Sequence, residues 1–147
     1  MAVPPEPFSL MFEQRPGYLF AEVKAALMNE EAARNYLGQI AERVSATQTE
    51  CVMILRDIPV MLPDTALFDV TNYFLDMMAE KRIAFVNPHS EVREDMEFAI
   101  RIGTNRGAYY ALFADIDEAE KWLLDPSGLG LLETHISVDP SENEEPV

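Results

Sequence analysis

A chain of 147 residues with 48% apolar residues can form one domain with a real core. Its formal net charge of −15 disfavours nucleic acid and anionic membrane surfaces as partners and favours basic proteins. The single cysteine, Cys51, excludes an internal disulfide, and no apolar run reaches the roughly 18 residues that a membrane span requires. The N-terminus lacks the basic and apolar regions of a signal peptide, so we expect a soluble, cytoplasmic protein.

Apolar patterns, helix caps and turn residues predict nine secondary-structure elements. Pro16 and Gly17 lie between two apolar segments, as is typical of a tight hairpin turn. Three short apolar runs without alternation predict strands covered on both faces, and apolar residues three and four apart predict the helices. Asn29, Asp64 and Ser90 are suitable N-caps. The predicted elements are strands 8–14 and 18–27, helix 29–45, strand 51–57, helix 64–80, strand 82–87, a helix from Ser90 through Ile100, strand 109–114, and a helix from Asp115 or Asp117 through Leu123.

This order, ββαβαβαβα, predicts an α/β sandwich with a mostly parallel sheet and helices on both of its faces. We assign residues 8–124 to one domain and the Pro-rich residues 1–7 to a flexible arm. The tail, residues 125–147, holds six acids and no Lys or Arg, so we expect it to be largely disordered. Within the tail, residues 128–138 are apolar enough to dock on the core or on another subunit, which leaves a homo-oligomer open.

Four stretches of the chain carry a family likeness: residues 17–40, 51–59, 81–86 and 111–123. The last of them, ALFADIDEAEKWL, joins an apolar strand to a short capped helix that contains the only tryptophan, Trp122. In these stretches the chain resembles the SpoIIAA-like branch of the STAS superfamily, the sulphate transporter and anti-sigma-factor antagonist domains. The resemblance covers about residues 8–124 and implies a non-enzymatic regulatory domain that binds a protein partner.

The resemblance also marks one candidate switch residue, Thr65. In anti-sigma antagonists of this superfamily, a Ser or Thr opens the helix after the third strand, and its phosphorylation switches partner binding. This chain has Pro63-Asp64-Thr65-Ala66 at that place, where typical members read Asp-Ser-Ser/Thr-Gly, so the second hydroxyl and the glycine are absent. The alternative interpretation of Asp64 and Thr65 is a helix cap that satisfies an otherwise unpaired backbone N–H.

The region 58–68 is the predicted surface for a protein partner. It combines an apolar loop with the start of a helix, and an apolar loop in that position is a candidate contact patch. The alternative is that its apolar side chains only fill the core, as methionines commonly do. The predicted contact residues are Val60, Met61, Leu62, Leu67 and Phe68.

Polar residues follow the predicted parallel strands: Asp57, Asn87, His89 and Asp115. Open α/β sheets bind ligands outside these strand ends, and some STAS relatives bind lipids or nucleotides. A small-molecule binding module is therefore the alternative function. No lysine accompanies the two acids as a phosphoryl-transfer site would require, so we expect no metal and no cofactor. His89 has no recognisable Ser or Cys partner in the sequence, so we do not predict a catalytic triad.

Overall fold

The structure, a computed structural model, describes residues 8–78 and 80–125. The arm at 1–7 and the tail after residue 125, with its segment 128–138, lie outside the described residues, so the expectations for them stay predictions. No helix within the described part is long and apolar enough to cross a membrane. The elements are β1 (Ser9–Arg15), β2 (Tyr18–Lys24), α1 (Glu30–Thr47), β3 (Cys51–Asp57), α2 (Asp64–Met78), β4 (Arg82–Val86), a 3₁₀ turn (Ser90–Val92), α3 (Arg93–Asn105), β5 (Tyr109–Phe113) and α4 (Ile116–Leu124).

The five strands form one sheet in the order β1-β2-β3-β4-β5. β1 is antiparallel to β2, and the other neighbours are parallel, as the sequence predicts. Because the strands keep their chain order, crossovers of one hand place α1, α2 and α3 on the same face. Their buried side chains pack with those of the sheet in one large core cluster. Among the described elements, only α4, which is not a crossover, covers the opposite face, through a second cluster.

Helix starts show where local capping signals hold and where they fail. The side chain of Asn29 accepts a hydrogen bond from the backbone N–H of Ala32, so the predicted Asn29 cap is confirmed. Asp115, one of the two predicted starts of the last helix, caps α4 in the same way. The predicted Ser90 cap is wrong, because Ser90 lies inside a 3₁₀ turn that precedes α3. α2 begins at Asp64 itself, since the carbonyl of Pro63 accepts the first helical hydrogen bond from Leu67.

The β1–β2 turn is locked against the last helix. Gly17 has a φ of +87°, which favours glycine, and a Cβ built on it would lie 2.7 Å from Cδ2 of Leu124. Close by, the hydroxyl of Tyr18 donates to the carboxylate of Glu120 at 2.9 Å. The hairpin and the end of α4 therefore fix each other's position.

A buried arginine ties the end of α4 to the sheet. Arg82, which is only 7% exposed, begins β4 and donates to the carbonyl oxygens of Trp122 and Asp125 at the helix C-terminus. Its guanidinium carbon also lies 4.4 Å from the centroid of the Trp122 ring, which packs against the core as predicted. Burial lowers the pKa of Arg82. The cation supplies donors to carbonyls at the end of the helix, and it complements the helix dipole.

Replacing this arginine should loosen α4 from the sheet. We expect Arg82→Met to lower the free energy of unfolding by about 2–3 kcal/mol, because two partly buried carbonyls lose a charged donor. Arg101→Met, at an exposed position on α3, is the matched control and should cost less than about 0.5 kcal/mol. Urea unfolding followed by circular dichroism measures both. A loss at Arg82 no larger than at Arg101 would contradict the proposed clamp.

Candidate functional site

Three of the four polar residues predicted at the strand ends come together. Nε2 of His89 lies 2.7 Å from Oδ1 of Asp57, which joins the end of β3 to the segment after β4. The side chain of Asn87, which is buried, accepts from the backbone N–H of His89 at 2.9 Å and donates to the carbonyl of Ile58 at 3.5 Å. This polar cluster, Asp57, Asn87 and His89, fixes two loops against each other.

Asp115 is not part of the polar cluster. Its carboxylate accepts from the backbone N–H of Glu118 at 2.9 Å and thereby caps α4. Because α4 turns onto the opposite face of the sheet, Asp115 is committed to the helix start. No group of three or more metal-ligating side chains is found among residues 8–78 and 80–125.

The chemistry of the Asp57–His89 pair is that of a positioned acid and base. An ionised carboxylate can only accept, so Nε2 of His89 carries the proton in the hydrogen bond. In the described ranges, no hydroxyl or thiol is hydrogen-bonded to the imidazole. Cys51 lies at the opposite end of β3, where burial raises the pKa of its thiol. A thiol with a raised pKa is a poor nucleophile at neutral pH, so the pair does not form a nucleophilic triad with it.

The same pair borders an open groove of about 1000 Å³ at the carboxyl end of β2 and β3. Its walls carry both charge signs, with Lys24 and Asp57, and the uncharged amide of Gln39. A mouth this open is a surface feature, in contrast to the enclosed pockets that typically hold small molecules.

The loop between β3 and α2 is shaped by Arg56, a residue that the sequence analysis did not select. Arg56 is 5% exposed and donates to the carbonyl oxygens of Ile58 at 3.1 Å and Val60 at 2.8 Å. It is the only charged residue within the apolar run CVMILR of β3. That interruption of an apolar strand was the available signal, although a charge near a strand end equally indicates where the strand leaves the core.

The structure corrects part of the predicted contact patch. Leu62 and Leu67 are buried, because the apolar loop closes the core between the sheet and α2. Val60 and Met61 are partly buried against the same core. Among the five predicted contact residues only Phe68, at 50% exposure, stands out into solvent.

Two further groups are exposed to solvent. Leu27, in the loop between β2 and α1, is 76% exposed and was missed by the sequence analysis. Thr65 is exposed in the first turn of α2, one helical turn before Phe68, and its hydroxyl has no hydrogen bond within the described residues. A kinase or a partner protein can therefore reach the hydroxyl without unfolding the helix.

Breaking the Asp57–His89 pair should have a modest effect. Both side chains are about one-third exposed, so solvent screens their interaction. In a double-mutant cycle with Asp57→Asn and His89→Gln at pH 7, we expect a coupling energy of about 0.5–1 kcal/mol. Urea unfolding of the four proteins measures it. A coupling above about 2 kcal/mol would instead make the pair a main support of the fold.

Comparison with protein-family models and with curated protein sequences found no match. Among solved structures, the crystal structure of an anti-sigma factor antagonist from Mycobacterium paratuberculosis matches with a TM-score of 0.59 at 15% sequence identity. The alignment covers 84% of this chain and 100% of that chain, so the likeness extends over the whole of the neighbour's fold. The chain therefore has the α/β fold of this anti-sigma factor antagonist, which is the fold that the sequence predicted.

Proposed function

We propose that the chain is a non-enzymatic regulatory domain of the anti-sigma-antagonist type, which acts by binding a protein partner through the outer face of α2. The observation that carries the proposal is the exposed Phe68, one helical turn after an exposed Thr65. The fold supports it, because the solved neighbour is an anti-sigma factor antagonist. Since no nucleophile within the described residues is hydrogen-bonded to His89, the polar cluster gives no support to an enzyme.

The docking face is a stripe along α2, formed by Thr65, Phe68, Asp69 and Asn72. These positions are three and four residues apart and so lie on one side of a helix. Phe68 is its only large apolar side chain, and aromatic residues commonly dominate the energy of protein interfaces. Asp64 and Asp69 place negative charge on either side of Phe68 in the sequence. A partner with an apolar pocket and a basic rim fits this stripe best.

The docking face is held in place from behind. The opposite side of α2 is buried in the core through Leu67, Val70 and Phe74. The loop that leads into the helix is fixed by Arg56 through its two carbonyl contacts. A face that is ordered before binding loses less conformational entropy when the partner docks.

Removing the apolar anchor should weaken partner capture. We expect Phe68→Ser to weaken binding by at least about 10-fold, because the loss of a central aromatic anchor typically exceeds about 1.4 kcal/mol. Met11→Ser is the control, since Met11 is 46% exposed on β1 and lies outside the stripe. Affinity capture from the native host identifies candidate partners, and titration of the purified partner measures the Kd.

The comparison between these two variants decides whether α2 is the docking face. A partner that binds both variants as it binds the wild type does not use Phe68. Equal weakening by Met11→Ser would point to a general loss of stability, which circular dichroism of the unbound variants detects.

Negative charge at Thr65 should act as a switch. We expect Thr65→Glu to weaken partner binding by about 10-fold, because the added charge lies beside the apolar anchor, while Thr65→Ala binds normally. A carboxylate in the first turn favours the helix dipole, so the variant should remain folded. Ser45→Glu adds the same charge at an exposed site on α1 and controls for net charge. If Thr65→Glu binds like Ser45→Glu, the residue is no switch.

A further inference from the structure

A small cavity lies on the side of the sheet that carries three helices, beneath the loop between β3 and α2. It has a volume of about 70 Å³ and is lined mainly by apolar side chains of β3, the loop and the helices. Three methionines take part in its lining: Met28, Met61 and Met96. Methionine side chains are unbranched and adaptable, so the cavity can widen at little cost. Its lining contains one charged residue, Arg56.

The charge of Arg56 is not neutralised by the described part of the chain. Two of its N–H groups donate to the carbonyls of Ile58 and Val60. No ion pair joins its guanidinium to a carboxylate of residues 8–78 or 80–125, and its remaining N–H groups have no acceptor there. Buried charges in proteins are normally paired or coordinated, because an unpaired one is costly to desolvate. A cation that is only 5% exposed and borders a cavity therefore favours an anion as its partner.

The shape and lining of the cavity decide which anion fits. A carboxylate offers two oxygens that match the planar donors of a guanidinium. A phosphate or sulphate would bring further oxygens against walls that have few donors for them. The volume corresponds to only two or three water molecules at about 30 Å³ each, so the tail must be short and apolar. A nucleotide or an intact lipid far exceeds this space.

We propose that this cavity is a binding site for a short apolar monocarboxylate, whose carboxylate pairs with Arg56. The proposal is independent of the docking face on α2. It narrows the small-molecule function that the sequence left as an alternative to one class of ligand. The binding site is the cavity on the face covered by α1, α2 and α3, instead of the polar cluster. Because Arg56 also holds the loop carbonyls, an occupant should perturb the backbone signals of Ile58 and Val60.

The first experiment compares two probes of nearly equal shape, acetate and its neutral amide, acetamide. Two-dimensional ¹H–¹⁵N NMR of the wild-type chain follows each titration. We expect acetate to shift the signals of Ile58 and Val60 to saturation with a Kd on the order of 1–10 mM, and acetamide to bind at least about 10-fold more weakly. Equal binding of the two probes, or shifts that never saturate up to about 100 mM acetate, would overturn the proposal.

The second experiment fills the cavity without touching the arginine. Ala99 on α3 lines the cavity, so Ala99→Leu should weaken acetate binding by at least about 10-fold. Ala41→Leu is the matched control, because Ala41 packs partly buried against the same core without lining the cavity. Unchanged affinity in Ala99→Leu, or equal losses in both variants, would mean that acetate binds elsewhere.

A third variant tests the guanidinium itself. Arg56→Lys keeps a positive charge under the loop but loses the planar pair of donors. We expect about 10-fold weaker acetate binding with acetamide binding unchanged, and an unaltered acetate affinity would refute the pairing. If this variant does not fold, the alanine pair and the probe pair still decide the question.

Discussion

Buried carbonyl groups need donors, and two arginines on the central strands meet this need at opposite ends of the sheet. Arg82 at the start of β4 donates to the carbonyls that end α4. Arg56 near the end of β3 donates to the carbonyls of the loop that leads into α2. A guanidinium presents several donors in one plane, so one side chain satisfies two neighbouring backbone groups. The last helix and the loop that leads into α2 are thus both held by an arginine that donates to backbone carbonyls.

The two arginines act on different faces of the sheet. Arg82 belongs to the face covered only by α4, where it also stacks on Trp122. Arg56 lies on the face covered by α1, α2 and α3, and its side chain borders the cavity beneath them. Since neighbouring strand residues alternate between faces, Asp57 is turned away from Arg56 and is available to His89. The buried cation and the polar cluster are therefore separate features, although they are adjacent in sequence.

The sheet was largely predictable because its parallel strands leave a distinctive trace in the sequence. Strands buried on both faces need apolar residues at every position, and the runs at 51–57, 82–87 and 109–114 show this without alternation. The caps at Asn29 and Asp115 are local and were also readable. Ser90 failed as a cap because the chain begins α3 through a 3₁₀ turn, and a single Ser does not distinguish a direct helix start from one that follows such a turn.

The site was less predictable, since it depends on contacts between distant segments. Topology placed Asp57, Asn87 and His89 at the same edge of the sheet, but the hydrogen bond between Asp57 and His89 requires loop geometry that no local pattern encodes. Periodicity also could not separate Phe68 from Leu67, because both continue an apolar segment and only the rotation of α2 decides which is buried.

Arg56 would couple anion binding in the cavity to the order of the loop between β3 and α2. Arg56 lines the cavity and its guanidinium bonds the carbonyls of Ile58 and Val60, so an anion in the cavity and the ordered loop would share one partner. If an anion binds more tightly when the loop is ordered, then by reciprocity the anion favours the ordered loop by the same factor. The loop leads directly into α2, whose outer face carries Phe68 and Thr65. A small carboxylate would thus change the affinity of a docked protein only to the extent that this protein prefers the ordered loop. The loop is therefore the element whose order the carboxylate and the protein partner would both favour.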